Sequence, residues 1–148
     1  MLHLAGEVFT MGGSRFEDNL PEGGEGSAKV FVKVIPGDLP VTIFAQLDTG
    51  APWSIFDPEI AHALGVLDTE GEHVRIATRL GDKEGKLVRV RVTLPADVGL
   101  GVSVSFEATV FITTDWPIGR NFIGYGGFVQ GIRMALDPQN NVFYFGSY

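Results

Sequence analysis

The chain contains no cysteine, few basic residues and no long apolar segment. Without cysteine in 148 residues, it has no disulfide, no thiol nucleophile and no cysteine-based metal site. Its 11 Lys and Arg against 18 Asp and Glu give a net charge of −7, which argues against nucleic acid as a partner because phosphate binding requires clustered cations. No apolar run is long enough to span a bilayer, so we expect no membrane partner.

Targeting signals and metal-binding motifs are also missing. The stretch from Met1 to Glu7 lacks a charged segment followed by an apolar one, so we predict no secretory signal and a cytoplasmic location. His3, His62 and His73 lack metal-ligand spacing, and we interpret them as surface or edge residues. Neither a phosphate-binding Gly-rich loop nor a Gly-x-Ser-x-Gly motif occurs. We therefore expect no metal and no cofactor.

What the chain does contain is a series of short apolar segments separated by Gly, Pro and Asp. Hydrophobic residues make up 45% and charged residues 20%, which is typical of a single globular domain. Asp57 followed by Pro58 predicts the start of a short helix that stops before Gly65. Together these features predict a mainly β fold with one or two short helices. The predicted strands cover residues 29–35, 41–47, 73–78, 86–94, 102–113 and 142–145.

The first 28 residues have a different composition. Residues 2–9 form a short apolar stretch, which we interpret as an edge strand or a partner-binding arm. Residues 11–27 are rich in Gly, Glu, Asp and Asn, which predicts a flexible loop. We therefore divide the chain into an N-terminal arm with a flexible Gly-rich acidic loop, residues 1–28, and a domain, residues 29–148.

The most informative stretch is residues 44–56, which contains Asp-Thr-Gly-Ala at positions 48–51. An apolar segment leads into Asp48, and the apolar pattern resumes at Trp53. A carboxylate in such surroundings must be paired, hydrogen-bonded or protonated. Asp and Gly are also ordinary turn residues, so the motif by itself leaves open a purely structural turn at the end of a core strand.

Three features in this order resemble the retropepsin-like aspartic proteases. The sequence Leu47-Asp48-Thr49-Gly50-Ala51 follows a predicted hairpin, and a glycine-bearing hairpin comes about thirty residues later. Asn121-Phe122-Ile123-Gly124 then precedes Phe128 and a terminal strand. The likeness spans roughly residues 29 to 145. It implies a closed acid-protease-like β-barrel and a retropepsin-like aspartic protease domain over residues 29–148.

The resemblance implies that Asp48 is the catalytic residue and that the next three residues, Thr49, Gly50 and Ala51, support it. The Thr49 hydroxyl would bond across a two-fold axis, and Gly50 would let the backbone approach the scissile peptide. Ala51 is small for the same reason. Because Ala51 lacks the hydroxyl that pepsin-like members often carry, we expect hydrolysis to be fastest at mildly acidic or neutral pH.

The resemblance also implies a flap and a supporting strand. Residues 78–87 would be the flap that closes over an extended peptide, with Leu80, Gly81 and Gly85 as candidate substrate-binding residues. A second group, Phe122, Ile123 and Gly124, would lie beside the Asp48 loop and support it.

Only one Asp-Thr-Gly occurs, so the second carboxylate would come from a second copy of the chain. The resemblance therefore implies a homodimeric aspartic endopeptidase that hydrolyses peptide or protein substrates with a water held between two Asp48 carboxylates. Pro52 and Tyr125 occupy positions where retroviral members carry an acidic residue and an arginine, so the subunit interface must be built differently. Two alternatives stay open: a non-catalytic dimer or peptide-binding module with the same fold, and a monomeric scaffold in which Asp48 is only a turn residue.

Overall fold

The computed structural model describes residues 1–24 and 26–148. The chain is mainly β, as the alternating apolar pattern predicts. The described residues contain one α-helix, α1 (Pro58–Ala63), and short 3₁₀ turns at Glu22–Gly24 and Val129–Gly131. No helix among the described residues is both long and apolar enough to cross a bilayer. The strands are β1 (His3–Leu4), β2 (Glu7–Val8), β3 (Gly12–Arg15), β4 (Glu17–Asn19), β5 (Lys29–Pro36), β6 (Ile43–Leu47), β7 (Ser54–Ile55), β8 (Glu72–Thr78), β9 (Gly81–Leu94), β10 (Val104–Ile112), β11 (Phe122–Ile123), β12 (Arg133–Asp137) and β13 (Val142–Gly146).

Most strands belong to one large mixed sheet with the order β4-β5-β6-β11-β7-β10-β9-β8. The pairs β6–β11 and β7–β10 are parallel, and the other pairs are antiparallel. β5 also pairs with β9 through Ile35–Thr93 and Pro36–Val92. A second sheet has the order β12-β13-β3, and β1 and β2 form a separate hairpin. In the large sheet β11 lies between β6 and β7, the two strands that flank Asp48.

The apolar side chains divide into a main core and a smaller cluster. The main core contains fully buried aromatic residues from distant parts of the chain, including Phe56, Phe128 and Phe145. The smaller cluster buries Ile55, Ile76 and Phe111, with Trp53, Val74, Leu87, Trp116 and Phe122 packed around them. Burial of this apolar surface is the main stabilising term of the fold.

Helix α1 forms where the sequence predicts it. Asp57 is the N-cap, and its Oδ1 accepts a hydrogen bond of 3.0 Å from the Ile60 N–H, which satisfies a backbone donor that the first helical turn leaves free. Pro58 lies in the first turn, and Gly65 follows the helix with a φ of +71°. The left-handed region suits glycine and ends the helix.

The predicted loop at residues 11–27 is wrong in part, because β3 and β4 both lie inside it. Glu25, within the same predicted loop, lies outside the described residues. Gly12 and Ser14 are buried, and a Cβ on Gly12 would overlap the Val102 carbonyl oxygen. The sequence pattern of small residues predicts a loop here. In the structure Gly12 is instead small because another backbone segment packs closely against β3.

Asp97 connects β3 to the large sheet. Its Oδ2 accepts a hydrogen bond of 2.7 Å from the Arg15 N–H, and its Oδ1 accepts one of 2.7 Å from Lys33 Nζ on β5. The Asp97 N–H donates to the Gly13 carbonyl at 2.9 Å. Partial burial works to raise the pKa of Asp97, but the hydrogen bond from Lys33, the hydrogen bond from the Arg15 N–H and the nearby positive charges lower it overall.

The β8–β9 hairpin is longer than predicted and its connection is shorter. The sequence predicts a polar tip over residues 79–85, but β9 begins at Gly81, opposite Thr78. Only Arg79 and Leu80 connect the strands. Thr78 Oγ1 accepts from the Leu80 N–H at 3.1 Å and donates to the Gly81 carbonyl at 2.7 Å. These bonds close the turn. The charged residues after it, Asp82, Lys83 and Glu84, belong to β9 and lie opposite residues of β8 in the antiparallel ladder.

Candidate active site at the Asp48 loop

Asp48 comes directly after β6 and begins the loop that leads to β7. Its backbone N–H donates a hydrogen bond of 2.9 Å to the Ile123 carbonyl of β11, and Leu47 pairs with Ile123 in the parallel ladder. The residue is half-buried. The carboxylate therefore stands at the end of a strand whose position is fixed by a neighbour from far along the chain.

Hydrogen bonds within the loop hold the carboxylate itself. Asp48 Oδ1 accepts from the Gly50 N–H at 3.1 Å, and the Asp48 carbonyl accepts from the Ala51 N–H at 3.1 Å. Asp48 Oδ2 accepts no hydrogen bond from the part of the chain that the structure describes. Thr49 and Gly50 are both exposed. One oxygen is thus fixed by the turn, and the tip of the loop faces outward.

The second half of the loop is bonded to the segment that follows β11. The Tyr125 N–H donates to the Ala51 carbonyl at 2.8 Å, and the Gly126 N–H donates to the Pro52 carbonyl at 2.9 Å. The Gly124 N–H donates to Ser54 Oγ at 2.9 Å in a buried position. Both ends of the Asp48 loop are therefore attached to one continuous segment, residues 123–126.

Phe122, Ile123 and Gly124 lie beside the Asp48 loop in this arrangement. Ile123 is buried in the main core, whereas Phe122 belongs to the smaller cluster, 5.9 Å from Trp116 between ring centroids. A Cβ on Gly124 would overlap the backbone carbonyl of Trp53. Glycine is therefore required at this position by the close approach of two backbone segments.

The candidate flap residues occupy three different settings. Leu80 is in the turn with 46% of its surface exposed. Gly81 begins β9 with a φ of +96°. Gly85 lies within β9, not in the connecting turn, and a Cβ there would overlap the Ile112 carbonyl oxygen. No hydrogen bond joins these three to the Asp48 loop within residues 1–24 and 26–148, although Ile76 of β8 belongs to the same apolar cluster as Trp53.

Two contacts attach the β8–β9 hairpin to the segment after β10. Lys83 Nζ lies 2.9 Å from Asp115 Oδ2, and the Lys83 side chain is only 11% exposed. Thr113 Oγ1 donates to the Glu84 carbonyl at 2.9 Å. Sequence reasoning missed these contacts because they join residues about thirty positions apart and carry no local signal.

Asp57 and Asn121 form a buried polar pair that sequence reasoning also missed. The Asp57 N–H donates to Asn121 Oδ1 at 2.9 Å, and Asn121 Nδ2 donates to Asp57 Oδ2 at 3.3 Å. The Gly119 N–H donates to the same Oδ2 at 2.9 Å. The helix-start signal identified Asp57 as an N-cap, but only one of its oxygens serves that purpose.

Outside the Asp48 loop, the described residues form few other groups suited to catalysis or metal binding. The three histidines are exposed, as predicted, and the described residues include no group of three His, Asp or Glu side chains that could hold a metal ion. An open groove of about 630 Å³ lies between the β8–β9 hairpin and the end of β10, lined by His73, Arg75 and Lys86 among others, and Asp48 is not part of it. Comparisons with protein-family models and with curated proteins find no match to this chain.

Proposed function

We propose that this chain is one subunit of a homodimeric aspartic endopeptidase of the retropepsin-like type. The observation that carries the proposal is the support of Asp48: its backbone N–H is bonded to β11, and its Oδ1 accepts the Gly50 N–H. Residues 124–126, directly after β11, hold the far end of the loop. A surface turn does not need bonds at both ends to a segment from far along the chain. A carboxylate that must meet a symmetry-related carboxylate does, because small displacements weaken catalysis strongly.

In the proposed reaction the two Asp48 carboxylates share one proton and hold a water molecule between them. The ionised carboxylate takes a proton from the water while the water oxygen attacks the peptide carbonyl carbon, and the protonated carboxyl gives its proton to the carbonyl oxygen. As the C–N bond breaks, the carboxyl that took the water proton passes it to the leaving nitrogen, and a hydroxyl of the tetrahedral intermediate returns a proton to the other carboxylate. One peptide bond and one water become an acid and an amine, and the two carboxyl groups carry the protons that move.

The partner in this proposal is a second copy of the chain. Pro52 is exposed and Tyr125 is 51% exposed. The backbone hydrogen bonds between the loop and residues 125–126 place the two residues close together. We place this uncharged pair at the subunit interface, next to the two-fold axis. An apolar contact there avoids leaving a charge buried without a counter-ion.

The proposal also assigns the closed barrel of the acid proteases to this chain. The pairings β5–β6, β6–β11, β11–β7, β7–β10, β10–β9 and β9–β5 form a complete ring of neighbours. In the barrel reading, β8 and β9 extend from this ring as the flap. The exposed Leu80 in its turn would then reach over a bound peptide.

Hydrolysis of a peptide library by wild type and by Asp48→Asn tests the function. Asparagine keeps an oxygen that can accept the Gly50 N–H, so the loop should stay folded while the acid is lost. We expect the variant to lose at least about 10³-fold in kcat/KM, as acid–base catalysis disappears, and a statine-type inhibitor to block the wild type. Equal cleavage by both proteins would refute the proposal. Peptide binding without cleavage by the wild type would favour the non-catalytic binding module.

A further inference from the structure

We infer that Asp57 and Asn121 are positioning residues that fix where Asp48 lies relative to β11. The catalytic meaning of this inference rests on the proposed function. Both residues are buried, with 3% and 7% of their surface exposed. A buried ionisable side chain is costly unless hydrogen bonds satisfy it. Asp57 is satisfied by three N–H donors, from Ile60, Gly119 and Asn121. Its role therefore extends beyond capping α1.

The link from this pair to Asp48 runs through the backbone of Asn121. While the Asn121 side chain is bonded to Asp57, its carbonyl accepts the Gln46 N–H at 2.8 Å. Two residues further along both strands, the Ile123 carbonyl accepts the Asp48 N–H at 2.9 Å. The side-chain pair thus fixes the start of the short parallel ladder that ends at Asp48.

The register of this ladder needs such support because β11 is only two residues long. A short strand has few hydrogen bonds to resist sliding or tilting. Asp57 fixes it from the helix side, since Gly119 and Asn121 bind the same carboxylate oxygen. Without the pair we expect β11 to keep its apolar anchor, Ile123, but to lose its fixed entry angle.

Two substitutions separate this role from helix capping. Asp57→Ser keeps a side-chain oxygen for the Ile60 N–H, because serine is a good N-cap, but removes the oxygen bound to Gly119 and Asn121. Asn121→Ala removes the partner and leaves the cap intact. Val104→Ala, in the main core at the opposite end of β10 from its pairing with β7, is the control for simple loss of stability.

Amide hydrogen exchange and kinetics on the full chain then test the inference. We expect both variants to raise exchange at Gln46 and Asp48 by about tenfold, roughly the effect of one lost hydrogen bond. The control should raise it no more there than at other core amides. Peptide hydrolysis should lose about 10-fold to 100-fold in kcat with KM within about twofold. The double variant should lose less than the sum of the two single losses, because both single variants remove the bond between Asn121 Nδ2 and Asp57 Oδ2.

The outcomes separate the inference from the proposed function. Unchanged exchange at Gln46 and Asp48 in both variants would overturn the positioning role, and so would a loss of kcat that the Val104→Ala control reproduces at equal stability. If the wild type cleaves no peptide, exchange alone decides: faster exchange at these two amides supports positioning of the loop while the endopeptidase proposal fails.

Discussion

At the scale of single residues, the glycines near Asp48 serve different needs. A Cβ on Gly50 would lie 3.4 Å from Asp48 Oδ1, an ordinary contact, and Gly50 is exposed. A Cβ on Gly124 would overlap the Trp53 carbonyl. The fold therefore requires glycine at position 124 but not at position 50, where the proposed function requires it.

Alanine substitutions at these two positions should have opposite effects. We expect Gly50→Ala to keep the free energy of unfolding within about 0.5 kcal/mol but to lower kcat/KM by about tenfold or more, since its methyl group takes space next to the bound peptide. Gly124→Ala should instead lose about 2 kcal/mol of stability through overpacking. Denaturant unfolding and peptide hydrolysis check both. Gly131→Ala, whose Cβ would have no neighbour within 4 Å, is the control. An unstable Gly50→Ala would contradict this division of roles.

Asp97 makes the stability depend on acid pH. Its pKa is lowered in the folded chain, so its contribution is present above its unfolded pKa of about 4 and is lost as the pH falls through the lower, folded pKa. We expect Asp97→Asn to cost about 1 kcal/mol at pH 7 and the difference from wild type to be smaller at about pH 3, which lies below that unfolded pKa. Denaturant unfolding at both pH values measures this.

Asp68→Asn is the matched control, since Asp68 is exposed and forms no hydrogen bond or ion pair with the rest of the described chain. If the difference between wild type and Asp97→Asn stays constant between pH 7 and pH 3, the bonds from Lys33 and Arg15 do not stabilise the ionised form.

At the scale of elements, the sequence pattern correctly predicted those helices and strands that depend on residues close together in the chain. The helix at Asp57 and the hairpin of β5 and β6 follow from capping and alternation, and both are confirmed. β3 could not be predicted because Gly12 accommodates the distant Val102 carbonyl and Ser14 is buried in the packed fold, and neither requirement leaves a local signal. In the same way, Gly85 predicts a turn but lies within β9, where the end of the neighbouring strand β10 packs closely against it.

The candidate site shows the same limit. Asp48 and the 122–124 segment were predicted together only through a family resemblance, and the structure places them side by side. The polar pair of Asp57 and Asn121 had no such signal, because its bonds join residues 64 positions apart. Side-chain bonds of this kind depend on the packed fold and leave no periodic trace in the sequence.

The β8–β9 hairpin depends on its attachment through Lys83. We expect Lys83→Met to keep most of the buried side-chain packing but to raise amide exchange from Ile76 to Lys83 by about fivefold, corresponding to about 1 kcal/mol, because the bond to Asp115 is lost. Arg75→Met is the matched control. Its partner is Asp82 at 3.5 Å, both side chains are more than half exposed, and the pair lies within the hairpin. Equal effects in the two variants would show that Lys83 has no special role.

At the scale of the whole molecule, the proposed function requires two copies of the chain, because each copy supplies one Asp48. Mixing wild type with excess Asp48→Asn and letting subunits exchange should lower activity beyond simple dilution. At equal amounts, only about one quarter of randomly formed dimers contain two aspartates. Hydrolysis measured against mixing ratio, with mass measured by light scattering, checks this. Activity proportional to the wild-type fraction, or a monomeric mass with full activity, would contradict the dimer.

The pairing of β3 with β13 also affects how this protein is made. These strands lie near opposite ends of the sequence, and each forms hydrogen bonds with the other from Gly12–Phe145 to Arg15–Val142. A nascent polypeptide cannot complete this pairing until β13 has left the ribosome. Contacts of such long range slow folding. Until β13 pairs with it, β3 has unpaired backbone groups that other chains can bind. We therefore expect the protein to aggregate more readily during synthesis than on heating after it has folded. A chaperone should accordingly have its largest effect during synthesis.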